Sequence, residues 1–396
     1  MMKRITLAMI GLATLSTNAQ EANNVVGSTG AFSSSLYEQL AKEAKVNDNL
    51  FFSPYSISLA LGMTYAGARN ETETEMAAVL HFSSNDSKFH KHLGNSQKKI
   101  LSSGSKGVQI AIANQIWADR SYKFRCSYLR GVKKAYDAPV ERLNFRLEAE
   151  PSRLKINNWV EKHTNDLIKD LLPEGSITDL TTMVLTNAIY FKGQWAEKFK
   201  VEDTRSDVFF PTTHEKVECS MMNRAGTYNL AHGDGFRMLE MPYAGNDFSM
   251  LVILPDEGND LSKVEKTFSH QSLQELTRRL AETEVKLSFP RFRFETEYEL
   301  KPTLSAMGMP LAFSNRADFT RMSTKPDLKI DEVYHKAFVE VSEEGTEAAA
   351  ATAVVIVRKA MPMYQEFNAN KPFIFLIRQN SSGIILFMGR VTKPTF

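Results

Sequence analysis

Two periods of apolar residues alternate along this chain. Leu36, Leu40 and Ala44 return to one face of a helix, which predicts helix over 33–44. Ser53 followed by Pro54 reads as a helix cap with proline in the first turn, where its missing N–H costs nothing. Helical spacing recurs over 70–80, 87–101, 126–136 and 152–172. The second period is two. Residues 108–118 alternate, and 183–193 form a β-rich, largely apolar run. Strands are also predicted over 248–255, 284–295, 337–343, 373–377 and 384–391, the last two joined as a hairpin at 380–383. Helices gather early and long strands late, with no internal repeat, which predicts a mixed α+β fold. With 43% apolar residues the chain can bury a large core, and no polar or Pro/Gly-rich linker divides it.

The N-terminus departs from this pattern. Lys3 and Arg4 precede an apolar run from Ile5 to Leu15, and Thr17-Asn18-Ala19 follows with small residues. These features predict a secretory leader over 1–19, cut between Ala19 and Gln20, and one domain over 20–396. Loss of the leader removes two basic and no acidic residues, leaving 46 of each. A balanced charge gives no sign of a nucleic-acid partner. Beyond the leader no apolar run is long enough to cross a bilayer. A secreted monomer is expected. Cys126 and Cys219 either pair or remain buried thiols, and two cysteines make no disulfide framework. Asn70-Glu71-Thr72, Asn85-Asp86-Ser87 and Asn380-Ser381-Ser382 are glycosylation acceptors, of which at least one is expected to be used.

Catalytic signatures are missing. There is no G-x-S-x-G elbow, no H-E-x-x-H, no phosphate-binding glycine loop and no C-x-x-C. The eight histidines show no metal-ligand spacing, so neither a metal nor another cofactor is expected. The chain does not read as an enzyme.

The informative stretch is SEEGTEAAAATAVVIVRKAMPMY, residues 342–364. Its alanines favour helix by propensity, but Thr352 and the run Val354-Val355-Ile356-Val357 favour strand. With a period of two, Thr346, Ala348, Ala350, Thr352, Val354 and Ile356 share one face, the first half of it small throughout. Glu347 falls on the other face with Ala349 and Ala351. Such a segment suits a narrow slot between two strands, and Gly345 suits a hinge. An exposed linker is the plainer reading of composition alone.

Here the sequence closely resembles the serpin family. EEGTEAAAATA matches the serpin hinge, and NLFFSPYSISLAL (49–61), LTNAIYFKGQW (185–195), VYHKAFVEVSEEGTEA (333–348) and FNANKPFIFLIRQN with ILFMGRVTKP (367–394) follow in the family's order. The leader joined to an ovalbumin-like hinge is similar to secreted arthropod serpins. The resemblance covers essentially the whole mature chain. It implies three β-sheets, eight or nine helices, and an exposed reactive centre loop over about 343–366. It also implies an inhibitor: a target protease acylates itself on the loop, and the cleaved loop enters the main sheet as a new strand. Serpin loop insertion is among the standard cases of strand addition with release of strain.

The resemblance carries over to particular residues. Glu343, Glu344, Gly345, Thr346, Glu347, Ala348, Ala349, Ala350 and Ala351 form the hinge. The bait residue of the family usually lies fourteen positions after the hinge glycine, which gives Lys359, with Ala360 on the leaving side; a shift of one makes Arg358 the bait. Either basic residue selects trypsin-like serine proteases of the plasmin, thrombin, kallikrein, trypsin or clotting type. Ser53, Ser56, Asn187 and His335 match the shutter under the main sheet, and Trp195 the breach where insertion begins. Read alone, Ser53 is a helix cap and His335 a satisfied core histidine. A noninhibitory carrier or chaperone is the second reading of the family. Lys88, Lys91, Lys98 and Lys99 on one helix, with Arg278 and Arg279 on another, are a weak candidate for a heparin-like glycosaminoglycan; a solvated helix face is the plainer reading.

Overall fold

The computed structural model describes residues 2–45, 47–104, 107–346 and 363–396, with side chains described from Asn23 onward. Among the described residues there are nine α-helices: α1 (Met2–Glu43), α2 (Pro54–Tyr65), α3 (Asn70–Leu80), α4 (Ser87–Ser102), α5 (Cys126–Tyr136), α6 (Ala149–His163), α7 (Leu261–Thr267), α8 (His270–Arg278) and α9 (Leu300–Met307). The strands are β1 (Leu50–Phe52), β2 (Val108–Asp119), β3 (Val140–Leu143), β4 (Met183–Gln194), β5 (Arg205–Thr212), β6 (Glu215–His232), β7 (Phe236–Pro242) and β8 (Phe248–Pro255). They continue with β9 (Ala281–Pro290), β10 (Phe292–Glu299), β11 (Glu332–Ser342), β12 (Gly345–Thr346), β13 (Gln365–Asn368), β14 (Phe373–Gln379) and β15 (Ile385–Val391).

The strands form two hydrogen-bonded ladders. One holds six strands in the order β10-β11-β12-β4-β2-β3. The other runs β1-β15-β14-β8-β7-β6-β9-β13, with β5 beside β6. The resemblance implies three sheets, and the reason for two ladders is β6. This 18-residue strand pairs with β5 through its first third and with β7 at its end, so it carries one layer into the next. Every residue of α2 is buried between the ladders, which explains why its apolar pattern shows no polar face. Phe51 of β1 stacks on Phe387 and Phe375, and a Cβ on Gly389 would lie 2.2 Å from Leu50 O, so glycine lets β1 close on β15.

Three predicted elements differ from the structure. The helix predicted over 33–44 ends as expected but extends back along α1, where Val25, Phe32, Leu36, Tyr37 and Leu40 form a buried stripe. The helix predicted over 152–172 stops at His163. Asn165, Asp166 and Asp170 adopt positive φ, which short polar side chains tolerate, and Ile168, Leu171 and Leu172 are buried from a turn-rich segment instead. The strand predicted over 284–295 is two strands broken at Arg291: β9 stays in the large ladder while β10 crosses to the six-stranded sheet.

Candidate functional site

The six-stranded sheet is divided along its centre. β11 and β4 pair in parallel from Glu332 opposite Val184 to Ala337 opposite Ile189. Beyond this the two strands part, and β12 lies between them, antiparallel to both. Thr346 sits between Val341 and Gly193, and Gly345 between Ser342 and Gln194. Val341 and Gly193 keep the same offset as the parallel rows, so the wedge is in register with the closed part of the sheet. Gly345 has φ of 147°, and a Cβ there would lie 2.0 Å from Gly193 O. Only glycine fits at this point.

The turn before the wedge is held on every side. The backbone N–H of Trp195 donates to Glu344 O at 2.9 Å and that of Phe199 to Glu343 O at 3.0 Å. Trp195 Nε1 donates to Ser342 O at 3.0 Å. Glu344 pairs with Lys198 at 2.5 Å. Glu343 accepts from Thr204 Oγ1 at 2.7 Å and faces Arg291 Nε at 3.6 Å. Trp195 stacks on Tyr243 with centroids 4.8 Å apart, and the Tyr243 hydroxyl lies 2.7 Å from Thr346 Oγ1. Tyr243, Lys198, Thr204 and Arg291 were not foreseen from sequence; each sits in an ordinary polar or apolar setting, far along the chain from the hinge.

Ser53, Ser56, Asn187 and His335 converge under the closed rows. His335 and Asn187 are opposite each other in the β11–β4 register. The Ser53 N–H donates to His335 Nε2 at 3.0 Å, so Nδ1 carries the ring hydrogen and donates to Asn187 Oδ1 at 2.5 Å. Asn187 Nδ2 in turn donates to Ser56 Oγ at 2.7 Å and to Asn114 Oδ1 at 2.5 Å. Ser53 Oγ donates to Leu386 O at 2.6 Å, tying the sheet and α2 to β15. Burial pushes the His335 pKa down to about 3, so the ring is neutral at physiological pH. Asn114 belongs to this network and was missed; its only signal is a polar residue at the middle of the alternating run 108–118.

Glu347, Ala348, Ala349, Ala350, Ala351, Arg358, Lys359 and Ala360 lie outside the described residues. The acceptor asparagines differ in their surroundings. Asn70 is exposed and its Nδ2 donates to Asp318 at 2.7 Å, whereas Asn85 Nδ2 is shared between Tyr65 O and Glu73 Oε1. Asn380 is half-buried and donates to Asn246 O at 2.8 Å. Cys126 and Cys219 are both free thiols; Cys126 is exposed, and burial with Asp207 nearby raises the Cys219 pKa to about 11. Lys88, Lys91, Lys98 and Lys99 are exposed on α4, while Arg278 and Arg279 close α8.

The profile of the family Serpin (serine protease inhibitor) matches residues 27–394. Human Serpin B4 is 40% identical over 391 residues, spanning 94% of this chain and all of that protein. Among solved structures, uncleaved ovalbumin superposes with a TM-score of 0.84 at 31% identity, covering 94% of this chain and 100% of its own. Human thyroxine-binding globulin complexed with thyroxine gives a TM-score of 0.85 at 29% identity, over 95% of this chain and 100% of its own. The profile, the sequence identity along the whole length and the divided sheet agree: this chain belongs to the serpin family.

Proposed function

We propose that this serpin is a secreted suicide-substrate inhibitor of trypsin-like serine proteases, with Lys359–Ala360 as the bait bond and Arg358 in the preceding subsite. The observation that carries this reading is the wedge Gly345–Thr346, already hydrogen-bonded to both β4 and β11.

Continuing that register defines an insertion path. Ala348 would enter between Val339 and Phe191, Ala350 between Ala337 and Ile189, and Thr352 between His335 and Asn187. The flanking side chains are buried, so the small inward face is what a tight slot requires. Glu347 would arrive between Glu340 and Lys192 on the opposite face. Entry must first break the six parallel rows of β4 and β11. Each inserted row then forms hydrogen bonds to two neighbours where one set existed before, at about 1 kcal/mol net apiece. The shutter residues exchange partners at the row where Thr352 arrives, and Trp195 and Tyr243 hold the point of entry.

In the target protease, the active-site serine attacks the Lys359 carbonyl and the bond to Ala360 breaks. Ala360 leaves as a free amine, and the loop remains joined through an ester. A strand of about ten residues spans roughly 33 Å, enough to carry the attached protease along the length of the sheet. The leader 1–19 supports secretion, and exposed Asn70 is the acceptor best suited to a glycan. A noninhibitory carrier has the likeness to thyroxine-binding globulin behind it, but a carrier needs no uniformly small hinge. Mixing the protein with trypsin on a denaturing gel tests the reading. A covalent complex stable to denaturation supports it, and cleavage without complex supports the carrier.

A further inference from the structure

Helices α4 and α5 touch backbone to backbone, since a Cβ on Gly94 would lie 1.7 Å from Ala135 O. Beside this crossing opens a cleft of about 720 Å³, within the size range of small-molecule sites. Six cationic residues line it from four segments: Arg69 before α3, Lys88 and Lys91 on α4, Arg125 and Lys134 at α5, and Arg321 from the loop before β11. No Asp or Glu lines it. Glu73 is paired with Arg321, and Asp86 caps α4 through the N–H groups of Lys88 and Phe89. The side chains of Lys88, Lys91 and Lys134 form no hydrogen bond or ion pair among the described residues. The floor is apolar and aromatic, built from Tyr128, Val132, Ala135 and Tyr136, all buried. A cleft with walls of one charge sign around a low-dielectric floor concentrates counter-ions of the opposite sign.

We propose that this cleft binds a small amphipathic organic anion, a carboxylate or sulfonate on an aryl or alkyl body. The head would meet Lys88, Lys91 and Lys134, with the guanidinium of Arg69 able to offer a forked donor pair. The body would cover the floor between α4 and α5. The cations converge on one cavity and do not run as a stripe, and the floor offers nothing to a sugar hydroxyl chain. Lys98 and Lys99, farther along α4, take no part. The proposal is independent of the inhibitory mechanism.

The test is a fluorescence titration of the uncleaved protein with 1-anilinonaphthalene-8-sulfonate, beside its uncharged analogue N-phenyl-1-naphthylamine. The sulfonate is expected to bind saturably at one site, and the uncharged probe at least tenfold more weakly. Lys88→Glu with Lys134→Glu should weaken the sulfonate at least tenfold. Gly131→Leu is the second variant: Gly131 lines the cleft, and a Cβ there meets no atom within 4 Å beyond its own stretch of helix, so the side chain has room to start into the cleft. It should retain or raise the melting temperature and still lose binding at least tenfold, which separates occlusion from misfolding. Displacement of the sulfonate by laurate assigns the site to alkyl carboxylates, and displacement by 2-naphthoate alone to aryl anions; both support it. Equal binding of the uncharged probe, unchanged affinity in both variants, or displacement by a sulfated disaccharide at the same concentration would overturn it.

Discussion

The hydroxyl of Tyr243 lies 2.7 Å from Oγ1 of Thr346, and the same tyrosine ring stacks on Trp195. The tip of the wedge is thus bonded to the stacked pair Trp195–Tyr243. Thr346 is 2% exposed. Thr346→Arg would force a charge into this space, at a cost of several kcal/mol by the usual penalty for unpaired burial. The variant should still be cut by trypsin but form cleaved product in place of complex. The ratio of the two bands on a denaturing gel is the measurement, and undiminished complex formation would refute the insertion path.

Cleavage itself should raise stability. Filling the rows now closed by β4 and β11 adds on the order of ten net hydrogen bonds, about 10 kcal/mol. For a chain of this size that corresponds to a rise of roughly 12 °C in the melting temperature. Calorimetry before and after nicking the loop with a metalloprotease, which forms no acyl-enzyme and so leaves no covalent complex, reads it directly. N-terminal sequencing of the C-terminal peptide released by trypsin should begin at Ala360; a start at Lys359 would move the bait to Arg358.

Glu343 is held by Thr204 Oγ1 and faces Arg291, whose guanidinium lies 3.7 Å from the Phe396 ring centroid. Glu343→Lys would set two cations against each other in a half-buried pocket. A loss of about 3 kcal/mol is expected, as for breaking one partner of a buried pair. The urea midpoint should fall, and Arg291→Glu in the same chain should restore much of it. Equal stability of the single variant and the parent would remove this contact from the hinge clamp.

His335 gives a dependence on pH. Its folded pKa is pushed down to about 3 by burial, below the ordinary 6.5. The unfolded chain therefore binds the proton first as pH falls, so the contribution is complete above about pH 6.5 and is lost progressively towards pH 3. Near pH 5 this one group contributes a slope of about 1.4 kcal/mol per pH unit. His90, lowered to about 4 by burial, adds to the slope in the same window. His335→Asn should flatten the plot of unfolding free energy against pH by one proton at pH 5. An unchanged slope would mean that the ring is already charged in the fold.

How much of this was legible in the sequence depends on the reach of each signal. Alternation and helical spacing located most elements because they act within a few residues. The same spacing misread 164–172, where buried Ile168 and Leu171 keep a helical interval while Asn165 and Asp166 turn the backbone. Alternation also ran unbroken across Arg291, since both strands beside it bury one face. The hinge and the shutter residues were reached through the family resemblance. Ser53 alone announces a cap, and its side chain does accept from Ser56 N, yet nothing local says that its N–H faces His335 across the core. Asn114 and Tyr243 stayed hidden because their partners are brought together only by strand register. The cationic cleft was half visible: Lys88 and Lys91 stood out, but Arg69, Arg125 and Arg321 join them only once four segments are folded.

The two strands flanking the wedge stand far apart in the chain, and β12 follows β11 at once. On a ribosome, β4 emerges early and its inner edge waits without a neighbour while β5 through β10 are made. β11 leaves the exit tunnel ahead of the alanine run and so can meet that edge first. The strand beside β4 would then be chosen by order of synthesis as much as by depth of the energy minimum. A circularly permuted gene that delivered the loop first should give a molecule locked from birth and unable to trap any protease.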